Sequence, residues 1–196
     1  MILVLEGAEG TGKTSLATAL VERHGFVSYR TMAWKDGRQS PHQLSVWRER
    51  GVPVNTFVDD IYAADLLACL ASNIGLAWTS RIVLDRSMPS GVAYAPEGPQ
   101  AHAQAVAWWA RTLTPIGGRI VLLDAPVENL LRRLPEDDPR RCPERLARVR
   151  STLADAVSLA SCLPTLRLNV GEAPYWDGFS HEPRALEERV TDWLGL

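Results

Sequence analysis

The 196 residues carry 21 Lys and Arg against 23 Asp and Glu, a formal net charge of -2, with 46% hydrophobic and 22% charged residues. A chain of this length and composition can bury a full sheet-and-helix core in one domain (1–196) and excludes long disorder. The near-balanced charge leaves no global electrostatic footprint, so neither nucleic acid nor a membrane is expected as a partner and any anion site is local.

Cys69, Cys142 and Cys162 are odd in number and lack CxxC spacing, which speaks against a disulfide framework or a zinc site and for a reducing cytoplasm. The apolar run Ile2-Leu3-Val4-Leu5, closed by Glu6, is read as a first strand, too short for a signal peptide or a membrane span. Further strands are expected at residues 26–31, 81–85, 118–124 and 165–170, after a first one at 2–6. Helical patterns fall at about 13–24, 55–78, 100–113, 127–134, 143–161 and 182–194. Ile82-Val83-Leu84 and Ile120-Val121-Leu122-Leu123, like the first run, are continuous rather than alternating. Strands covered on both faces have this pattern, and the intervening helices suit right-handed crossovers. The expected fold is therefore α/β, a three-layer sandwich around a five-stranded parallel sheet. Residues 32–53 are irregular, with one short helix near 42–50, and 171–181 read as a surface loop.

The first strand runs into Gly7-Ala8-Glu9-Gly10-Thr11-Gly12-Lys13-Thr14, a GxxxxGK[ST] match placed between a strand and a helix. Glycines let backbone N–H groups turn inward onto phosphates, and the helix N-terminus adds a favourable dipole. Gly7, Ala8, Gly10, Thr11, Gly12, Lys13, Thr14 and Ser15 are the expected ATP-binding residues. Lys13 would reach the β- and γ-phosphates and Thr14 would hold Mg²⁺ through its hydroxyl. The third strand ends in Asp85-Arg86-Ser87, at the strand C-termini where ligands of open parallel sheets bind. A carboxylate there can organise Mg²⁺ and a guanidinium can bridge donor and acceptor phosphates; a buried Asp-Arg pair tying strand to loop is the bland alternative.

The run Val83-Leu84-Asp85-Arg86-Ser87-Met88-Pro89-Ser90-Gly91-Val92-Ala93-Tyr94-Ala95 resembles the thymidylate kinase signature. The Glu6-Gly7 start of the P-loop, Tyr62-Ala63-Ala64-Asp65, residues 119–134 and Leu146-Ala147-Arg148-Val149-Arg150 are similar to further segments of that family, in order. The resemblance implies a P-loop kinase fold with a short helical lid, and transfer of the γ-phosphoryl of ATP to a deoxynucleoside monophosphate. Carried over, Glu9 contacts the acceptor sugar, Arg86 holds the acceptor phosphate and Asp85 supports the magnesium. Tyr62 takes the place of the base-stacking aromatic, and Tyr94 that of the tyrosine disfavouring a 2′-hydroxyl. Arg30 matches an arginine near the acceptor phosphate, and Ser90 lies in the acceptor-binding signature. Two departures bear on specificity: Leu66 stands where the family carries an arginine that reads the thymine edge, and Gly91 replaces a polar residue. Without that arginine a directed hydrogen bond is lost, so the base is left open.

The segment 132–141 is polar, Pro-punctuated and basic at both ends, suited to a lid (about 132–145) that excludes water. With no arginine inside the P-loop, Arg140 or Arg141 is the expected supplier of charge to the transferring phosphoryl, against a reading as a solvated charged loop. Trp108 and Trp109 are adjacent in a helix and cannot share a face. Trp34 is weighed as bordering the acceptor pocket, and Trp176 with Phe179 as pinning the late loop. His24, His42, His102 and His181 show no metal spacing and are read as ordinary surface or helix residues. The helix at 55–78 has an apolar face that permits a homodimer. Two other functional classes compete: a kinase of nucleosides or of a hydroxymethylated base, and a nucleotide-binding regulatory ATPase, although no guanine-reading Asn-Lys-x-Asp segment is present.

Overall fold

The structure, a computed structural model, describes residues 1–29, 81–94, 98–172, 175 and 183–196. Five strands, β1 (Ile2–Gly7), β2 (Phe26–Tyr29), β3 (Arg81–Asp85), β4 (Gly118–Asp124) and β5 (Thr165–Asn169), form a sheet in the order β2-β3-β1-β4-β5. Every pairing in it is parallel. The helices are α1 (Lys13–His24), α2 (Met88–Tyr94), α3 (Ala103–Leu113), α4 (Val127–Arg133), α5 (Pro143–Leu159) and α6 (Pro183–Leu194).

Side chains alternate across a strand, and in β1, β3 and β4 both sides are largely apolar and buried. Leu3, Leu5, Val83, Val121 and Leu123 pack with Leu16 and Leu20 of α1, Leu130 of α4, Leu146 of α5 and Val190 of α6. Ile2, Val4, Ile82, Leu84, Ile120 and Leu122 pack on the opposite face with Met88 and Val92 of α2, Trp109 and Leu113 of α3 and Val157 of α5. That division produces the three layers expected from the continuous apolar runs. The far end of α1 is tied to α6 through the buried Glu187, whose two oxygens meet Arg23 Nη1 at 2.6 Å and His24 Nε2 at 2.8 Å.

Several boundaries differ from the sequence expectation. The segment after Ser87, read as a signature loop, is the helix α2. Seven residues including Pro89 and Gly91 carry a weak local helix signal, and its stability comes from burial of Met88, Val92 and Ala93. The helix expected from residue 100 opens as a 3₁₀ turn, Pro99–His102, before α3 begins. His102 closes that turn and is buried. β5 stops at Asn169, although the Val170 amide still donates to Asp124 O at 2.7 Å before the chain turns at Gly171. α5 stops at Leu159, where the Ala160 amide bonds back three residues to Val157 O at 3.1 Å. Residues 30–31 of the second expected strand, and the expected helices at 42–50 and 55–78, lie outside the described residues, as do Trp34, Trp176 and Phe179.

Trp109 is fully buried against β1, β3 and β4, whereas Trp108, one residue earlier, is 39% exposed. Among the described residues the Trp109 Nε1 atom has no hydrogen-bond partner, so packing alone holds the ring. Trp109→Ala is therefore expected to lower stability by about 3–5 kcal/mol, and Trp108→Ala by less than about 1 kcal/mol. Urea denaturation of the two variants measures the difference.

Candidate functional site

The Gly-rich loop leaves β1 at Gly7, whose φ of +152° and close surroundings both require glycine. A Cβ there would lie 2.5 Å from Leu123 O and 2.7 Å from Thr11 Oγ1. Gly12, with φ +89°, turns the chain into α1 and offers no side-chain cap. The first-turn amides of α1 consequently remain available as donors to an anion. Lys13 is buried, and its ammonium donates to Ala8 O at 2.7 Å and to Thr11 Oγ1 at 3.2 Å. Burial, reinforced by the charge of Arg86, lowers its pKa to about 7, against the opposing pull of Asp85, Glu9 and Glu6. Ser15 follows in the exposed first turn of α1.

Thr14 and Asp85, both expected to serve a metal, are brought together across 71 residues of chain: the Thr14 hydroxyl donates to Asp85 Oδ2 at 3.0 Å. A hydroxyl and a carboxylate are hard oxygen donors of the kind Mg²⁺ takes when phosphates and water complete its shell. The pair fits that ion, and among the described residues no group of three or more His, Cys, Asp or Glu forms an all-protein metal cage.

Arg86 follows at once, with φ +75° in the left-handed region. Its amide extends the sheet by donating to Leu5 O at 3.1 Å, and the chain then reverses into α2. Its guanidinium Nη1 donates to Gly7 O at 3.3 Å and to Ser90 Oγ at 3.1 Å, and its Cζ lies 5.6 Å from the centre of the Tyr94 ring. Beneath this turn sits Glu6, fully buried at the end of β1. Its Oε1 accepts from the Ser87 amide at 2.9 Å and the Ser90 amide at 3.4 Å, and its Oε2 accepts from the Ser90 hydroxyl. Burial pushes the Glu6 carboxyl up to about 7, against the hydrogen bond from Ser90, the Arg86 charge, the Ser87 amide and Lys13. Ser90, expected to touch the acceptor, is only 1% exposed and its hydroxyl is engaged by Glu6 and Arg86.

Glu9 projects from the P-loop toward α2 and α5. Its Oε1 accepts from Tyr94 Oη at 2.9 Å and from Arg145 Nη2 at 3.1 Å. Its Oε2 is buried with no hydrogen-bond partner among the described residues. Burial acts to raise the Glu9 pKa, but the Arg86 charge, its own amide, the Tyr94 hydroxyl and Arg145 together hold it below the ordinary carboxylate value. The Tyr94 hydroxyl is pushed up to about 12, first by burial and then by Glu9, against the charges of Arg86 and Arg145. Arg145 also lies 6.0 Å from the Tyr94 ring centre, so two guanidiniums flank one aromatic side chain.

The expected lid is helical at its two ends, in α4 and α5, and made of turns between them. Arg140 pairs with Asp138 through its Nε at 2.8 Å and through Nη2, and Arg141 lies 3.9 Å from the exposed Glu136. Two other arginines of this region reach the P-loop, and the sequence reading favoured neither. They are Arg145 on Glu9 and Arg133, whose Nη1 donates to Gly10 O at 3.1 Å and whose Nη2 donates to Val170 O. Glu6 was given no role; its signals were a carboxylate closing an apolar strand and its place in the Glu6-Gly7 start of the P-loop. Arg30, Tyr62 and Leu66 lie outside the described residues. No helix among the described residues is long and apolar enough to cross a membrane.

The strand order, the parallel direction and the Gly-rich loop after β1 define a P-loop kinase fold. Two solved structures share it over their length. One is the YorR protein of Bacillus subtilis in complex with phosphorylated GDP, at 14% identity and a TM-score of 0.66, covering 100% of this chain and 96% of that one. The other is deoxyadenosine kinase from M. mycoides with bound dATP, at 10% identity and a TM-score of 0.58, covering 100% of both chains. The sequence matches no protein-family profile and no curated protein.

Gly7→Ala places a methyl group against the carbonyl of Leu123, a backbone atom that cannot swing aside. Loss of about 1–3 kcal/mol of stability is expected, together with weakened triphosphate binding. Urea denaturation and calorimetric titration with ATP report the two effects.

Proposed function

We propose that this chain is a thymidylate kinase-like enzyme that transfers the γ-phosphoryl of ATP to the phosphate of a deoxynucleoside monophosphate. The observation that carries the reading is the placement of Arg86. Its guanidinium contacts the P-loop backbone at Gly7 and stands over Tyr94, which in turn bonds Glu9. A cation so placed can meet an acceptor phosphate beside the donor, while the free Oε2 of Glu9 offers an acceptor to a sugar hydroxyl.

In this reading the loop amides from Gly7 to Thr14 grip the donor phosphates, and Lys13 exchanges its contacts with Ala8 and Thr11 for phosphate oxygens. Thr14 and Asp85 would hold Mg²⁺, and the ion would supply charge neutralisation to the donor phosphates. Arg86 orients the acceptor phosphate, and Arg140 or Arg141 closes onto the transferring group. Tyr94 crowds the sugar beside Glu9 and disfavours a 2′-hydroxyl. Arg30 lies near the acceptor phosphate, Tyr62 stacks on the base, and Leu66 leaves the thymine edge without the arginine of the family, so a base other than thymine is an open acceptor. In this reading the protein acts as a single domain with a lid at about 132–145, in the cytoplasm, and the sequence at 55–78 permits a homodimer.

A nucleoside kinase is the second reading, favoured by the likeness in fold to deoxyadenosine kinase. ADP release measured over a panel of nucleosides and deoxynucleoside monophosphates separates the two. Transfer to at least one monophosphate, with kcat/KM roughly 100-fold above that for its nucleoside, is expected; activity on nucleosides alone overturns the proposal. Arg86→Ala is expected to lower kcat/KM for the acceptor by about 10²–10³, and an unchanged value refutes its role.

The lowered pKa of Lys13 gives a proton signature. Its free-site value is about 7 and the ordinary lysine value is 10.5. At pH 8 the ammonium is therefore mostly deprotonated in the free protein and is restored when phosphate oxygens arrive. ATP binding at pH 8 should take up close to one proton, and at pH 6 almost none. Calorimetry in buffers of different ionisation enthalpy measures this, and Lys13→Met should abolish it.

A further inference from the structure

We propose that Glu6 is a positioning residue for Arg86, fixing through Ser87 and Ser90 the left-handed turn that aims the guanidinium. β1 is otherwise apolar, and Glu6 is fully buried at its end, where an ionisable side chain carries a large desolvation cost. Nothing in the packing of the sheet calls for a carboxylate there. Among the described residues its hydrogen bonds go to one place: the amides of Ser87 and Ser90 and the hydroxyl of Ser90.

Those amides belong to the start of α2, where first-turn donors have no partner within the helix. An acceptor supplied from β1 therefore fixes where α2 begins. Arg86 is the residue immediately before, and its φ of +75° is a conformation that non-glycine residues hold only when their surroundings impose it. The Ser90 hydroxyl completes the link. It donates to Glu6 Oε2, which leaves its oxygen free to accept from Arg86 Nη1 at 3.1 Å. Glu6 thus acts on backbone and side chain of Arg86 together: it secures the turn through amides and the guanidinium through one hydroxyl. Lys13 and Arg86 are the cations that face it, from α1 and from the turn itself. That the ordered guanidinium serves an acceptor phosphate rests on the kinase reading; the ordering does not.

The test reads Arg86 directly. In ¹⁵N-labelled protein the Arg86 Nε–H cross-peak is assigned by its absence from Arg86→Lys. Glu6→Gln keeps an oxygen for the Ser87 amide and an NH₂ for the Ser90 oxygen, and should retain the cross-peak. Glu6→Leu and Ser90→Ala should shift it or lose it to exchange with water. In parallel, both of the latter should raise the acceptor KM about tenfold with the ATP KM unchanged, and Glu6→Gln should restore most of that loss. If Glu6→Leu does not fold, Ser90→Ala, which removes only one hydroxyl, carries the test. A cross-peak at the wild-type position in every folded variant overturns the proposal. Absence of transfer to any deoxynucleoside monophosphate in the wild type overturns the kinase reading instead, and the cross-peak then decides the role of Glu6 by itself.

Discussion

Parallel pairing of β1 with β3, in the register that sets Leu5 beside Asp85, is the contact on which the candidate site depends. Because the strands run the same way, both leave the sheet at one edge, and the P-loop and the Asp85-Arg86 turn emerge together. The amide of Arg86 bonds Leu5 O, so the ladder continues up to the residue where the chain reverses. A slip of one residue would exchange the two apolar faces of β3, sending Val83 toward α3 and Ile82 and Leu84 toward α1. Burial on both faces therefore fixes the register, and the register fixes the 3.0 Å meeting of Thr14 with Asp85. The chemistry of the edge follows from the packing of the middle.

What gathers at that edge is a desolvated set of charges of both signs: Glu6, Glu9, Lys13, Asp85 and Arg86. Each is tolerable only because the others are near. Burial dominates for Glu6 and Lys13, whose pKa values converge on about 7 from opposite directions. Glu9 goes the other way, since two guanidiniums and a phenol outweigh its burial. A loop lysine whose burial lowers its pKa to about 7 has its charged form stabilised by any anion that enters beside it.

The sheet was legible because strands covered on both faces must be apolar throughout, and Ile2-Leu3-Val4-Leu5 and Ile120-Val121-Leu122-Leu123 are. The P-loop was legible because its glycines and Lys13 are constrained locally, by φ and by close approach. The parts that escaped are those set by distant partners. α2 holds Pro89 and Gly91 and owes its existence to the core beneath it. Glu6 reads as the polar end of a strand until Ser87 and Ser90, more than 80 residues later, are seen to be its partners. Arg145 looks like any exposed helical arginine, and only the fold brings it to Glu9. Position within the lid favoured Arg140 and Arg141, yet local acids, Asp138 and Glu136, are the groups that hold them.

That last contrast bears on how a lid can work. In the segment proposed as a lid, α4 is fastened to the P-loop by Arg133 on Gly10 and α5 by Arg145 on Glu9, while Arg140 and Arg141 of the turns between pair with Asp138 and Glu136. Arg141 meets a carboxylate that is almost wholly in water, and exposed pairs of that kind contribute less than about 1 kcal/mol. Under the kinase reading proposed above, replacing such a partner with a phosphoryl oxygen costs little, whereas removing Arg133 or Arg145 would unfasten the proposed lid from the P-loop. Of the two favoured arginines, Arg141 is the one less committed to the fold, since Arg140 is held by the nearly buried Asp138 through Nε and Nη2. In the proposed lid, Arg133 and Arg145 fix the points about which the turns between them would close.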